Sequence, residues 1–280
     1  MKKLLLTGSL ILLMPLVAGA GGYMRSGGET FVSGGLSADM ASKLFDKRGN
    51  RIDSTCNSGQ ALFVYGEHGY NYYTTVFASA SLRNQSCPTG AKQGWDGGKI
   101  GLNRRVNPTS NTLVWEAALL LPGRHFGNTS NRSNSPGIEG GLHYHPRLDP
   151  YNLNQAITWL EPYWDFGVTA KENFDNLPAE LAAYGQYTHP LKASVWDKGI
   201  GGWTAAVRLD YLRSLWHVQA TTPLAVDSQD VFWKVVLGVS LRHALTHYES
   251  IRIELIGSPA GQNINESRTI GLSYEKTLPK

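Results

Sequence analysis

The last fifty residues carry the clearest pattern in the chain. In VFWKVVLGVSLRH, which starts at Val231, Trp233, Val235, Leu237, Val239 and Leu241 share one side, and Lys234, Gly238, Ser240 and Arg242 share the other. In YESIRIELIG, Ile251, Ile253 and Leu255 oppose Ser250, Arg252 and Glu254. In SRTIGLSYEKTL, Ile270, Leu272 and Tyr274 oppose Thr269, Gly271, Ser273 and Glu275. Successive side chains of a strand point to opposite faces, so these runs predict a sheet with one apolar and one polar, charged face.

The same alternation recurs upstream. Strand-like runs are Glu29–Ala38, Gln60–His68, Tyr72–Leu82, Asp96–Val106, Thr112–Leu121, Gly137–Arg147, Ile157–Thr169 and Glu180–His189. The ninth run is Lys192–Lys198 or Trp203–Arg213. If both are strands and Trp216–Ala220 is another, about 12 strands become about 14. TAAVRLDYLRSLWH also reads as a helix lying over a barrel mouth.

Export decides which way the apolar face turns. Lys2 and Lys3, the apolar stretch Leu4 to Val17 and Ala18-Gly19-Ala20 have the layout of a cleaved signal peptide, placing residues 1–20 in the signal and 21–280 in the mature domain. After it, no stretch has the roughly 18 continuous apolar residues of a membrane helix. The mean hydropathy of -0.26 excludes a helical membrane protein but not a barrel whose inner face is polar. The charge of +4 comes without a basic cluster interleaved with aromatics, so no nucleic-acid partner is expected.

Connection lengths favour a barrel over a soluble sandwich. Turns after the second, fourth and tenth runs are short, including Gly69-Tyr70-Asn71 and NPTSN. Those after the first, third, fifth and ninth are long. Outer-membrane barrels alternate short periplasmic turns with long external loops. Trp115, Tyr144, Trp164, Trp233 and Tyr274 lie near strand ends and suit interfacial girdles. The fold expected is all-β: one closed antiparallel transmembrane barrel in the bacterial outer membrane. Its partners are then outer-membrane lipid, lipopolysaccharide and the barrel-assembly machinery.

YGEHGYNYYTTVFASASL (65–82), WDGGKIGLNRRV (95–106), EAALLLPG (116–123) and GQNINESRTIGLSYEKTL (261–278) resemble the phenol meta-pathway family of exported proteins. The resemblance implies an outer-membrane barrel associated with aromatic-compound catabolism and with transport; it carries over no site residues. At the C-terminus, Lys276 stands where an assembly signal ordinarily has an aromatic residue, and the chain ends TLPK.

The inner faces so predicted present Glu67, Lys99, Arg105, Glu116, Glu139, His143, His145, Arg147, Glu161, Asp165, Lys234, Arg242, Arg252 and Glu254. These charges line a solute-selecting pore, or they pair into a plug that fills a small barrel. The mixture of signs favours the plug. His143 and His145 share a face with Glu139, a set that holds a metal only against the repulsion of Arg147. His125, Ser130 and Asn131 invite comparison with a barrel phospholipase, but a flexible Asn/Ser-rich loop is a poor mount for a nucleophile. No enzyme activity and no cofactor are expected. Cys56 and Cys87 are the only 2 cysteines; an even count in an exported chain predicts a disulfide between neighbouring external loops. Three functions follow in order: a channel for small solutes, aromatic or hydrophobic ones among them; a closed adhesive or structural barrel acting through its loops; a lipid-modifying enzyme.

Overall fold

The computed structural model describes residues 24–40, 43–46, 48–53, 59–85, 92–107, 113–126, 136–145, 162–174, 179–192, 202–215, 232–246, 248–262, 264–266 and 268–280. The strands are β1 (Thr30–Asp39), β2 (Lys43–Phe45), β3 (Arg51–Asp53), β4 (Gly59–Asn71), β5 (Thr74–Gln85), β6 (Lys92–Arg105), β7 (Leu113–Leu121) and β8 (Arg124–Phe126). They continue as β9 (Gly137–Tyr144), β10 (Tyr163–Asn173), β11 (Glu180–Lys192), β12 (Trp203–Ser214), β13 (Trp233–Ala244), β14 (Glu249–Gln262), β15 (Ile264–Asn265) and β16 (Arg268–Leu278).

Twelve of these close into one antiparallel barrel. Its order is β5-β4-β1-β16-β14-β13-β12-β11-β10-β9-β7-β6, with β6 returning to pair with β5. The first and last strands meet along their whole length, from Thr30 opposite Leu278 to Asp39 opposite Thr269. The terminal end of the barrel therefore carries β1's start, β16's finish and the turns after β4, β6 and β13. At the far end, β2, β3 and β15 form a small separate sheet. It rests on an apolar cluster of Phe45, Phe232 and Ile264, with Leu212 against it. The β2–β3 turn is held by Asp46, whose Oδ1 accepts the backbone N–H groups of Arg48 and Asn50 at 2.8 Å each. β8 continues β7's side of β6 beyond Pro122 and Gly123.

Alternation is visible strand by strand. On β4, Ala61, Phe63, Tyr65 and Glu67 are buried, while Gln60, Leu62 and Val64 are exposed. A closed single-layer sheet buries side chains on its inner face, so the exposed set points outward. That outer set is apolar: Leu36 is 63% exposed, Leu119 59%, Leu255 54% and Val239 45%. A continuous band of this kind suits hydrocarbon rather than water. Outward aromatics gather toward the terminal end, where Trp164 stacks on Phe166 at 5.9 Å and lies 4.6 Å from Tyr187, with Tyr144 and Tyr274 also exposed. Trp203 stacks on His243 at 4.3 Å on the same rim. Trp115 is half-buried, and Trp233 lies at the far end, its Nε1–H donating to Gln262 Oε1 at 2.7 Å.

Several expected boundaries move. The ninth strand is Trp203–Ser214; Lys192 ends β11, while 193–200 and 216–220 lie outside the described residues. The helical reading of 204–214 fails because both backbone edges are taken, Leu209 facing Gly185 on β11 and Leu237 on β13. The count is therefore 12 rather than 14. The seventh strand is described from Tyr163 and runs on to Asn173, while 157–161 of the expected run lie outside the described residues. The Gly69-Tyr70-Asn71 turn shifts to Tyr72-Tyr73, with Asn71 Oδ1 accepting the Tyr73 N–H at 2.8 Å. The Asp39–Gly59 loop contains β2 and β3. Loop-length alternation is incomplete: the connection 145–162 is long yet joins β9 to β10 at the terminal end, while 174–179 at the far end is short.

The outward band generates a depth-dependent prediction. Val239→Arg or Ile253→Arg should destabilise the refolded barrel by about 2–4 kcal/mol, and Tyr70→Arg, beside the terminal turn, by less than about 1 kcal/mol. Urea unfolding from lipid vesicles measures the difference, and equal tolerance at these sites would reject the orientation of the sheet.

Candidate functional site in the barrel interior

Polar side chains reach the interior because every second position of each strand must point there, and the apolar half already faces outward. Buried charge is costly unless paired, and most of these charges are paired across strands. On β6, Lys99 Nζ lies 2.9 Å from Glu116 Oε1 on β7 and 3.0 Å from Glu139 Oε1 on β9. The second Glu116 oxygen is 3.1 Å from His143 Nε2. His143 Nδ1 is 3.0 Å from the Tyr184 hydroxyl on β11, and the Arg208 guanidinium sits 4.2 Å above the Tyr184 ring. Arg208 in turn grips Asp210, with Nε at 2.9 Å and Nη2 at 2.7 Å from Oδ1. One chain of contacts thus runs around the wall from β6 to β12.

A second group lies at the terminal end. The segment before β1 folds inward so that Arg25 Nε reaches Glu67 Oε2 at 2.5 Å, while the Tyr65 hydroxyl donates to Glu67 Oε1 at 2.6 Å. Arg25 also lies 4.4 Å over the Phe31 ring, and its backbone N–H donates to Thr75 Oγ1 at 2.8 Å. Gly69 admits this segment, since a Cβ there would run into the Ser26 carbonyl. Phe31, Phe63, Tyr65, Phe77 and Ala118 form an apolar patch on the adjoining wall.

The two sides of the lumen differ in the access of their acidic and imidazole groups, while the cations Arg25 (21%) and Lys99 (11%) of the first side stay partly accessible. Side chains of Glu67, Glu116, Glu139, His143, His145 and Asp165 are at most 5% exposed. Along β12 to β14, Arg208 keeps 18%, Asp210 17%, Arg252 11%, Glu254 15% and Arg242 30% of their side-chain surface accessible. Arg252 pairs with Glu254 at 3.1 Å, and Arg242 with Glu275 at 2.6 Å. Lys234 is buried on the same wall.

Of the residues selected from sequence, Lys99, Glu116, Glu139 and His143 come together. His145 instead takes Asp165, at 2.5 Å, and Arg252 meets both Glu254, at 3.1 Å, and Glu275, at 3.9 Å, which also holds Arg242. Arg147 and Glu161 lie outside the described residues. Glu139, His143 and His145 do not converge on a metal site, and no group of three or more metal-ligating residues occurs among the described residues. Ser130 and Asn131, like Cys56 and Cys87, lie outside the described residues. Missed by the sequence reading were Arg25, Asp39, Arg83, Asp96, Lys171, Glu180, Tyr184, Arg208, Asp210 and Glu275. Arg83 lies 3.0 Å from Asp96 and 3.6 Å from Asp39, and Lys171 lies 3.7 Å from Glu180. Inward alternation alone would have found Arg83, Lys171, Arg208, Asp210 and Glu275.

Lys99 holds two carboxylates, so its loss leaves both buried without their cation. Lys99→Met should cost about 3–5 kcal/mol, and adding Glu116→Gln should recover part of that rather than add to it. A double-mutant cycle read by urea unfolding checks this; strictly additive costs would mean that the pair is not coupled.

No family model matches the chain, and no curated protein matches it. Among solved structures it is similar to the COG4313 outer membrane channel from Pseudomonas putida F1, at 12% identity over 93% of this chain and 98% of that one, with a TM-score of 0.63. Looser likenesses are the NanC porin, at 10% identity over 89% and 100% with a TM-score of 0.49, and LpxR from Salmonella typhimurium, at 10% over 87% and 99% with a TM-score of 0.49. At such identities the likeness is one of fold, and the fold is that of a bacterial outer-membrane β-barrel.

Proposed function

We propose that this protein is a narrow channel or facilitator for small organic solutes in the bacterial outer membrane, of the kind the phenol meta-pathway resemblance implies. The observation that carries the reading is the asymmetry of the lumen. On one wall the carboxylates and histidines are sealed by their partners, while Arg208, Asp210, Arg242, Arg252 and Glu254 on the opposite wall keep water-accessible surface. A barrel that only needed filling would have no reason to leave a charged wall wet. The likeness in fold to a solved outer membrane channel supports the same reading.

The same reading carries a working environment. Outer-membrane lipid, with lipopolysaccharide outside, meets the apolar band, and the barrel-assembly machinery inserts the chain. The second reading, a closed structural or adhesive barrel, draws on the filled wall from β4 to β10 and on the extra sheet at the far end.

Planar-bilayer recording and liposome swelling separate the two. Reconstituted mature protein should give small, discrete conductance steps and admit small sugars, aromatic acids or alkyl aromatics selectively. Arg242→Ser should raise the step size, because it removes a long side chain from the wet wall. Neither steps nor swelling with any solute would leave the closed barrel as the answer.

A further inference from the structure

Arg105, the last residue of β6, differs from most of the other basic residues of the interior. Arg25, Arg83, Lys99, Lys171, Arg208, Arg242 and Arg252 each lie within 4.0 Å of a carboxylate. Arg105 is only 4% exposed and has no carboxylate at that distance among the described residues, and its Nε and Nη1 have no hydrogen-bond partner there. Its guanidinium carbon instead lies 3.8 Å from the centroid of the Tyr72 ring. The Arg105 backbone N–H donates to Tyr73 O at 3.2 Å, so the residue is fixed beside the turn that borders the terminal mouth.

A buried cation without a counter-charge is expensive, and an apolar side chain of similar length would serve stability better. The neighbouring carboxylates are already engaged: Glu67 by Arg25 and Tyr65, Glu116 and Glu139 by Lys99, and Asp165 by His145. The ring of Tyr72 holds the guanidinium by its face, which leaves the edge N–H groups as the means of recognition. A planar, forked donor matches the two oxygens of a carboxylate. The acid-rich surroundings oppose a dianion more than a monoanion, which disfavours phosphate. Phe77 on the adjacent β5 and Tyr65 on β4 beyond it belong to the apolar patch of the same wall.

We propose that Arg105 is the recognition point for a small organic carboxylate at the terminal mouth of the barrel. The assignment rests on the channel reading and makes the passenger an organic monoanion. Tyr72 positions the guanidinium, and the solute carboxylate supplies the counter-charge that the described residues do not.

Calorimetric titration of the detergent-refolded mature protein with sodium benzoate tests the assignment, with benzyl alcohol and inorganic phosphate as comparison ligands. Benzoate should bind at least about tenfold more tightly than either. Arg105→Gln should weaken benzoate binding by about tenfold or more. Arg105→Lys, which keeps the charge but loses the fork, should fall between the two. Heat-modifiable gel migration identifies folded variants, and a folded Arg105→Lys decides the matter if Arg105→Gln does not fold. Absent benzoate binding, equal affinity for benzyl alcohol, tighter binding of phosphate, or wild-type affinity in the folded variants would overturn the proposal. Swelling of liposomes in arabinose reports separately on the channel: its loss would remove the channel reading while the titration still judged Arg105.

Discussion

Everything in this barrel follows from the need to pair every backbone N–H and C=O of a sheet whose outer surface is apolar. In hydrocarbon an unpaired edge has no water to turn to, so the sheet must close on itself. Here closure joins β1 to β16, strands from opposite ends of the chain, in an unbroken register. The contact with the longest sequence separation is therefore the one that removes the last two edges. Loop-closure entropy makes such a contact late and slow, so the nearly complete sheet needs shelter until β16 arrives.

Closure also inverts the usual distribution of polarity. The outer face takes the aliphatic side chains, and the inner face receives the charges that a water-soluble sandwich would place outside. Inside a narrow space those charges settle by pairing, and Glu116 shows how tightly, with one oxygen on Lys99 and the other beside His143. Arg25 extends the same logic to the segment before β1. Its ion pair with Glu67 draws the chain into the terminal mouth, where Met24 is buried as well.

The fold was legible in the sequence wherever one face is uniformly apolar. β13, β14 and β16 could be read directly, because Leu237, Ile253 and Leu272 alternate with small or charged residues. β12 was ambiguous because Ala205, Ala206, Leu209, Leu212 and Arg213 are good helix formers, and the partners that decide its state lie on other strands. For the interior, alternation named which residues meet the lumen but not who meets whom. Lys99 joins Glu116 and Glu139 through the register of three strands, and no local pattern encodes that. Arg25 stood outside every predicted strand, in a segment whose Gly and Ser residues read only as a loop.

The glycines of the inner wall set the bore of the tube. A Cβ at Gly101 would come within 2.5 Å of Phe77 Cζ, one at Gly35 within 2.8 Å of Phe63 Cζ, and one at Gly167 would collide with the Tyr184 ring. At each place the tip of a large aromatic ring reaches bare backbone on the wall. Side-chain volume is thereby moved from the centre of the tube to its wall, and the free cross-section depends on atoms that are missing. Widening or narrowing this conduit in the course of evolution would then require no change in strand number, only a change in which inward positions are bare and which carry a ring.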